Sequence, residues 1–103
     1  MILYNVTVSI DPHIAEDWLA WMRSNHIPEV MATGCFIESR LSRVHGEEEG
    51  GMTYAITYLS PSQDKIDEYQ KMHAPLLQKD HAERYQGKFA AFRTTLSLIE
   101  EFK

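Results

Sequence analysis

The sequence predicts an α+β fold whose elements run strand, helix, strand, strand, helix, strand. Three observations carry that expectation. Residues 2–10 and 52–59 alternate apolar and polar side chains with period two, two other stretches carry apolar stripes at helical spacing, and glycine, proline and capping residues punctuate them. The chain has 103 residues, 44% hydrophobic and 24% charged, the balance of one ordinary globular domain over residues 1–103.

In the first strand Ile2, Tyr4, Val6, Val8 and Ile10 share one face, with Leu3, Asn5, Thr7 and Ser9 opposite. Asp11-Pro12 then opens a helix: aspartate caps the free amides and proline fits the first helical turn. Ile14, Trp18, Trp21 and Met22 form its apolar stripe. Pro28 is expected to interrupt this helix after His26-Ile27, and a short continuation over 29–33 should end at Gly34.

Residues 35–45 and 52–59 read as two strands joined by a glycine-rich hairpin connection over 46–51, whose Glu47, Glu48 and Glu49 suit a solvated tip rather than a calcium loop. Met52, Tyr54, Ile56 and Tyr58 share a face of the second of these strands. Residues 60–63, Ser-Pro-Ser-Gln, read as a capping box that opens the second helix at Ser60. Its buried stripe is expected to be Ile66, Tyr69, His73, Leu76 and Leu77, with a kink at Pro75 and an end at Gly87. Residues 88–99 give the last strand.

That order is the ferredoxin-like βαββαβ arrangement, an antiparallel four-stranded sheet with two helices on one face. The uncovered face, with Leu3, Ala55, Leu59, Phe89 and Ala91 as candidates, invites pairing with a second copy. A chain this short has a modest core, which a homodimer would enlarge.

Charge and composition exclude several classes of partner. A net charge of −5 argues against a nucleic-acid backbone or an anionic membrane. No apolar run approaches the ~18 residues of a membrane span, and the first ten residues have no basic start for a secretory signal. Cys35 is alone, so no internal disulfide forms. A cytoplasmic protein is expected.

Several runs carry a family resemblance: Trp18-x-x-Trp21-Met22, residues 26–30 (His-Ile-Pro-Glu-Val) and Thr33-Gly34-x-Phe36. Tyr54, Tyr69, Ala74-Pro75 and residues 88–94 extend it over about residues 2–99. The sequence resembles a family of small bacterial proteins of unknown function within the dimeric α/β-barrel superfamily. The resemblance implies two ferredoxin-like sheets paired into a barrel. It implies little about activity, because that superfamily holds cofactor-free monooxygenases, haem-degrading enzymes, isomerases and decarboxylases. The haem-degrading branch resembles a set with Asn on the first strand and Trp and His on the second helix. Here Asn5 falls on the weaker strand face and the second helix has His73 but no Trp.

His26 is the first candidate for chemistry, because imidazole transfers protons near neutral pH and the residue sits at the proline-interrupted helix. The competing reading has it locking the corner by bonding carbonyls that the break releases. His73, on the second apolar stripe, would form an acid–base pair with His26 if both faced one cavity, and is otherwise a core histidine. Trp21, Tyr4, Tyr54 and Tyr69 are candidate ligand-lining aromatics or plain core, and Arg93 is a candidate partner for a ligand carboxylate or for a nearby Glu. No metal site and no cofactor are expected: His73 and His81 would lie about 12 Å apart along a straight helix, and Cys35 lacks an activating arrangement. The expected function is binding of a small hydrophobic or aromatic molecule between sheet and helices. The alternatives are a structural or protein-interaction dimer, and a cofactor-independent monooxygenase or isomerase using His26 or His73.

Overall fold

The structure is a computed structural model that describes residues 1–46 and 51–103. Strands β1 (Ile2–Ile10), β2 (Glu38–Arg43), β3 (Met52–Ser60) and β4 (Phe89–Ser97) form one antiparallel sheet in the order β2-β3-β1-β4. β1 lies at its centre, running from Ile2 opposite Ser60 and Ser97 to Ile10 opposite Met52 and Phe89. The expected connection over 46–51 falls largely on residues 47–50, which lie outside the described residues, as does the expected glutamate tip.

Two parts of the predicted architecture are corrected. The sheet is open, with β2 and β4 as edges each bonded to one neighbour, so it is not closed into the barrel that the resemblance implied. Four strands are far short of the roughly eight whose tilt and stagger close a filled barrel. The helical layer also holds three bodies among the described residues rather than two. The first runs continuously through α1 (Ala15–Trp21), a π segment (Met22–His26) and α2 (Ile27–Ala32), after a 3₁₀ turn at Pro12–Ile14. The second predicted helix divides at His73 into α3 (Gln63–Met72) and α4 (Ala74–Arg84).

Both irregularities trace to proline. Pro28 has no N–H for the carbonyl of Ser24 and its ring crowds that turn. The helix responds upstream of the proline by widening, with the Ile27 amide bonding Met22 O five residues back. Pro75 sits in the first turn of α4, where a missing N–H costs nothing, so the chain breaks at His73 instead of kinking at the proline. Gly34 ends the first body with φ +77°, its amide bonding Met31 O, in the left-handed region expected of a C-terminal glycine. The cap of α3 is Ser62, whose Oγ accepts from the Lys65 amide, not Ser60; α4 ends at Arg84, three residues before Gly87. Ser60 is instead fully buried, donating to Cys35 O.

The core fills the space between the helices and the face of β1 that carries Tyr4, Val8 and Ile10, with Trp18, Trp21, Met22, Tyr54, Ile56, Tyr58, Ile66 and Tyr69 buried around them. The open face is shifted by one residue on the last strand. Phe89 and Ala91 stand opposite Ile10 and Val8 and face the helices, so Ala90, Phe92, Thr94 and Leu96 face away. A one-residue slip exchanges the faces of a whole strand. Leu3, between Leu59 and Leu96 in the pairing, does lie on the open face as expected. Phe92 is 63% exposed there and Leu96 46%.

Candidate functional site

His26 is the last residue of the π segment, where the widened turn places it beside Trp21, the two rings stacked with centroids 5.2 Å apart. Short π segments inside α-helices often accompany functional sites, because they re-aim side chains. Here the segment brings His26 over the sheet and against α4, 5.7 Å from the ring of His81. Both imidazoles line one cavity between sheet and helices, together with Tyr4, Tyr58, Tyr69, Gln78 and Arg93. Its volume is about 30 Å³, and it opens to solvent. That is room for a water or a diatomic gas, well below the several hundred Å³ of a pocket that encloses a ring-sized molecule.

The two histidines are poised differently. His81 is 8% exposed, and its Nε2 accepts a 2.9 Å hydrogen bond from the Trp18 indole N–H. That bond places the proton of neutral His81 on Nδ1. Burial lowers the His81 pKa to about 4, with His26 and Arg93 pushing in the same direction. Burial also lowers the pKa of His26, against the opposing field of Asp80. His26 Nδ1 is the buried side-chain polar atom without a hydrogen-bond partner among the described residues. Native interiors rarely leave such an atom unpaired, and doing so costs about 1–3 kcal/mol.

Two phenols on the cavity wall are held neutral. Tyr58 and Tyr69 are pushed well above the usual phenol range, chiefly by burial. Tyr4 packs on both, with ring centroids 6.1 and 5.8 Å away. Arg93 stands opposite Val6 on the helix-facing side of β4, an edge strand, and its residue remains exposed at the cavity mouth.

Of the residues singled out in the sequence, His26, Tyr4, Tyr69 and Arg93 line this cavity. Trp21 lies behind His26, and Tyr54 packs on Trp18 with centroids 5.1 Å apart. His73 is placed elsewhere: at the junction of α3 and α4, half-buried, with its ring stacked on the outer side of Tyr69. There it gathers with Cys35 and Glu68, a set whose ligand atoms all lie within 4.8 Å of one another and which could hold a metal ion. Leu76 of the predicted stripe is 75% exposed. The residue that sequence reasoning passed over is His81. Its signal was present: Ala74, Leu77, His81 and Tyr85 continue a helical stripe once the phase restarts after His73.

A family model for a domain of unknown function, DUF4286, matches residues 1–99. The chain belongs to the DUF4286 family. No curated protein matches it. Among solved structures, this DUF4286 chain is similar to a dimeric ferredoxin-like protein from an uncultured marine organism, with a TM-score of 0.74 and 13% identity over 100% of this chain and 99% of that one. It is also similar to SnoaB, a cofactor-independent oxygenase from Streptomyces nogalater (TM-score 0.65, 10% identity, 97% and 94% covered). An antibiotic biosynthesis monooxygenase gives a TM-score of 0.66 at 11% identity, with 97% and 100% covered. At these identities the likeness establishes the ferredoxin-like fold of a DUF4286 chain, and its chemistry has to be argued from the side chains. Among the described residues, no helix is long and apolar enough to cross a membrane.

Proposed function

We propose that this cavity removes a proton from a small, planar, weakly acidic organic molecule, with His26 as the base and Arg93 facing the resulting anion. The observation that carries the reading is His26 Nδ1: a buried imidazole nitrogen with no partner among the described residues, in one cavity with a guanidinium. An imidazole kept neutral by its surroundings has a lone pair to offer at neutral pH. Buried Tyr58 and Tyr69 remain donors for an oxyanion rather than becoming anions themselves.

The substrate's C–H or O–H proton passes to His26, and the electron pair stays on the substrate as an enolate or phenolate. Returned to a different carbon, the proton gives an isomer. Dioxygen accepting the carbanion's electrons gives a peroxide anion, which recovers the proton from the His26 imidazolium as a hydroperoxide, so substrate and oxygen add without loss of an atom. A cavity of about 30 Å³ is on the scale of dioxygen, and the planar substrate sits at its mouth beside exposed Arg93. The likeness to SnoaB supports the oxygenase version. The working form is a homodimer joined through the open sheet face; the dimeric state of the marine relative and the exposed Phe92 and Leu96 support it.

The test uses a panel of 1,3-diketones and naphthols in deuterated water. NMR reads deuterium wash-in and an oxygen electrode reads uptake. The expected result is exchange or uptake with the wild type that falls by roughly 100-fold or more in folded His26→Ala, the scale on which a positioned general base contributes. Equal rates in the two proteins would overturn the assignment of His26, and no exchange with any of the panel would leave a structural dimer as the better reading.

A further inference from the structure

We propose that Cys35, Glu68 and His73 form a binding site for a divalent transition metal of the zinc class, at the junction of α3 and α4. The side chains come from two separate parts of the chain: Cys35 follows α2, while Glu68 is on α3 and His73 caps its end at the break. They supply one sulfur, one carboxylate oxygen and one imidazole nitrogen, all within 4.8 Å of one another. Tetrahedral zinc with its usual bond lengths sets such atoms about 3.3–3.6 Å apart. Cys35 Sγ and Glu68 Oε2 are already at 3.1 Å, so closure asks for an ångström-scale shift of the His73 side chain.

The surroundings hold the donors in place. Ser60 Oγ donates to the Cys35 carbonyl at 3.0 Å, and the Cys35 amide donates to Thr33 Oγ1 at 3.3 Å. Lys65 Nζ occupies the other oxygen of Glu68, Oε1, at 3.5 Å, which leaves Oε2 toward the thiol. The Tyr69 ring stacks on His73 from the cavity side. Partners that orient a metal's ligands in this way are a regular feature of such sites.

The charge balance is favourable. The Cys35 thiol keeps its proton and donates a hydrogen bond to Glu68 Oε2 in the metal-free site. A cation entering between them replaces that proton, which leaves to solvent, and a 2+ ion with thiolate and carboxylate makes a neutral site. Three protein ligands leave one position for water, the arrangement of zinc sites that are open to a further ligand. Cys35, Glu68 and His73 do not line the His26 cavity, so this inference stands independently of the proposed function.

Cobalt(II) is the probe, titrated into the metal-free full chain and read by absorption. Tetrahedral ligation by a thiolate is expected to give a sulfur-to-cobalt charge-transfer band and intense visible bands, both removed by added zinc. Cys35→Ser should abolish the charge-transfer band, and His73→Ala should weaken cobalt binding by roughly tenfold or more. His26→Ala should leave both unchanged. Circular dichroism establishes that each variant is folded; should Cys35→Ser fail to fold, half-exposed Glu68→Gln and His73→Ala decide. No charge-transfer band in the wild type, or cobalt binding unaffected by both Glu68→Gln and His73→Ala, would overturn the proposal.

Discussion

The Trp18 indole N–H donates to His81 Nε2 across 2.9 Å, joining α1 to α4 through the buried middle of the molecule. The bond requires His81 to be neutral, since a protonated imidazole has no lone pair to accept it. Trp18 is fully buried and His81 nearly so, and Phe89 meets the His81 ring edge-on with centroids 4.5 Å apart. His81 thereby fixes the position of α4 and forms the wall against which His26 rests.

Folding stability should therefore depend on His81 in acid. In the unfolded chain this histidine takes up a proton near pH 6.5, and in the folded protein only near pH 4. Between those values the unfolded state binds more protons, so stability falls as pH drops through the window and is level above it. The full effect is at most on the order of 3 kcal/mol. Urea midpoints of the wild type and His81→Gln, compared from pH 7 to 4, should converge with acid. Parallel curves would show that His81 does not titrate as buried.

Trp18→Phe removes the donor and leaves His81 Nε2 without a partner. The expected loss is about 1–3 kcal/mol from the unpaired group, with a further contribution from the smaller ring. Chemical denaturation measures it. In the double variant with His81→Phe the loss should be less than the sum of the singles, since both buried polar groups then disappear together.

His26→Phe should have the opposite sign. Replacing a buried, unpartnered imidazole with an apolar ring of similar shape removes an unpaired nitrogen, so Tm is expected to rise by the equivalent of about 1 kcal/mol. Proton-exchange activity should disappear in the same variant. A fall in Tm would favour the corner-locking reading of this residue.

The pH profile of any His26-dependent reaction follows from its lowered pKa. The neutral form is the active one, so the rate should rise with pH through a midpoint below the usual histidine value and level off by neutral pH. Measuring kcat/KM between pH 4.5 and 8 checks it; a midpoint above 6.5 would mean that His26 is stabilised as the cation.

Assembly is read by sizing at several concentrations. Homodimer is expected, and Phe92→Asp, which places a charge at a 63%-exposed position of the open face, should shift the protein to monomer. A dimer that survives this change uses another surface.

Much of the framework was legible in the residues. Alternation in β1 and β3 assigns Tyr4, Val8, Tyr54 and Ile56 to the core face, because a pleated strand turns successive side chains to opposite sides. The Trp18–Trp21–Met22 stripe and the Gly34 stop follow in the same way from helical spacing and from glycine's access to positive φ. β4 was harder. Its residues alternate weakly, so the sequence alone assigns Phe89 and Ala91 to the open face, and only the register opposite Ile10 and Val8 turns them to the helices.

Sequence by itself thus determined the strand order along the chain, the family and His26 as a residue in a disturbed helix. Tertiary structure decided which histidine stands beside it. Pro28 and Pro75 announce irregular helices, but whether the backbone widens upstream or breaks, and so where His26, His73 and His81 point, depends on packing against the sheet. Local sequence fixes dihedral preferences a few residues at a time. The meeting of His26 with His81, and of Cys35 with Glu68 and His73, joins segments far apart in the chain, and only the packed fold brings them within reach.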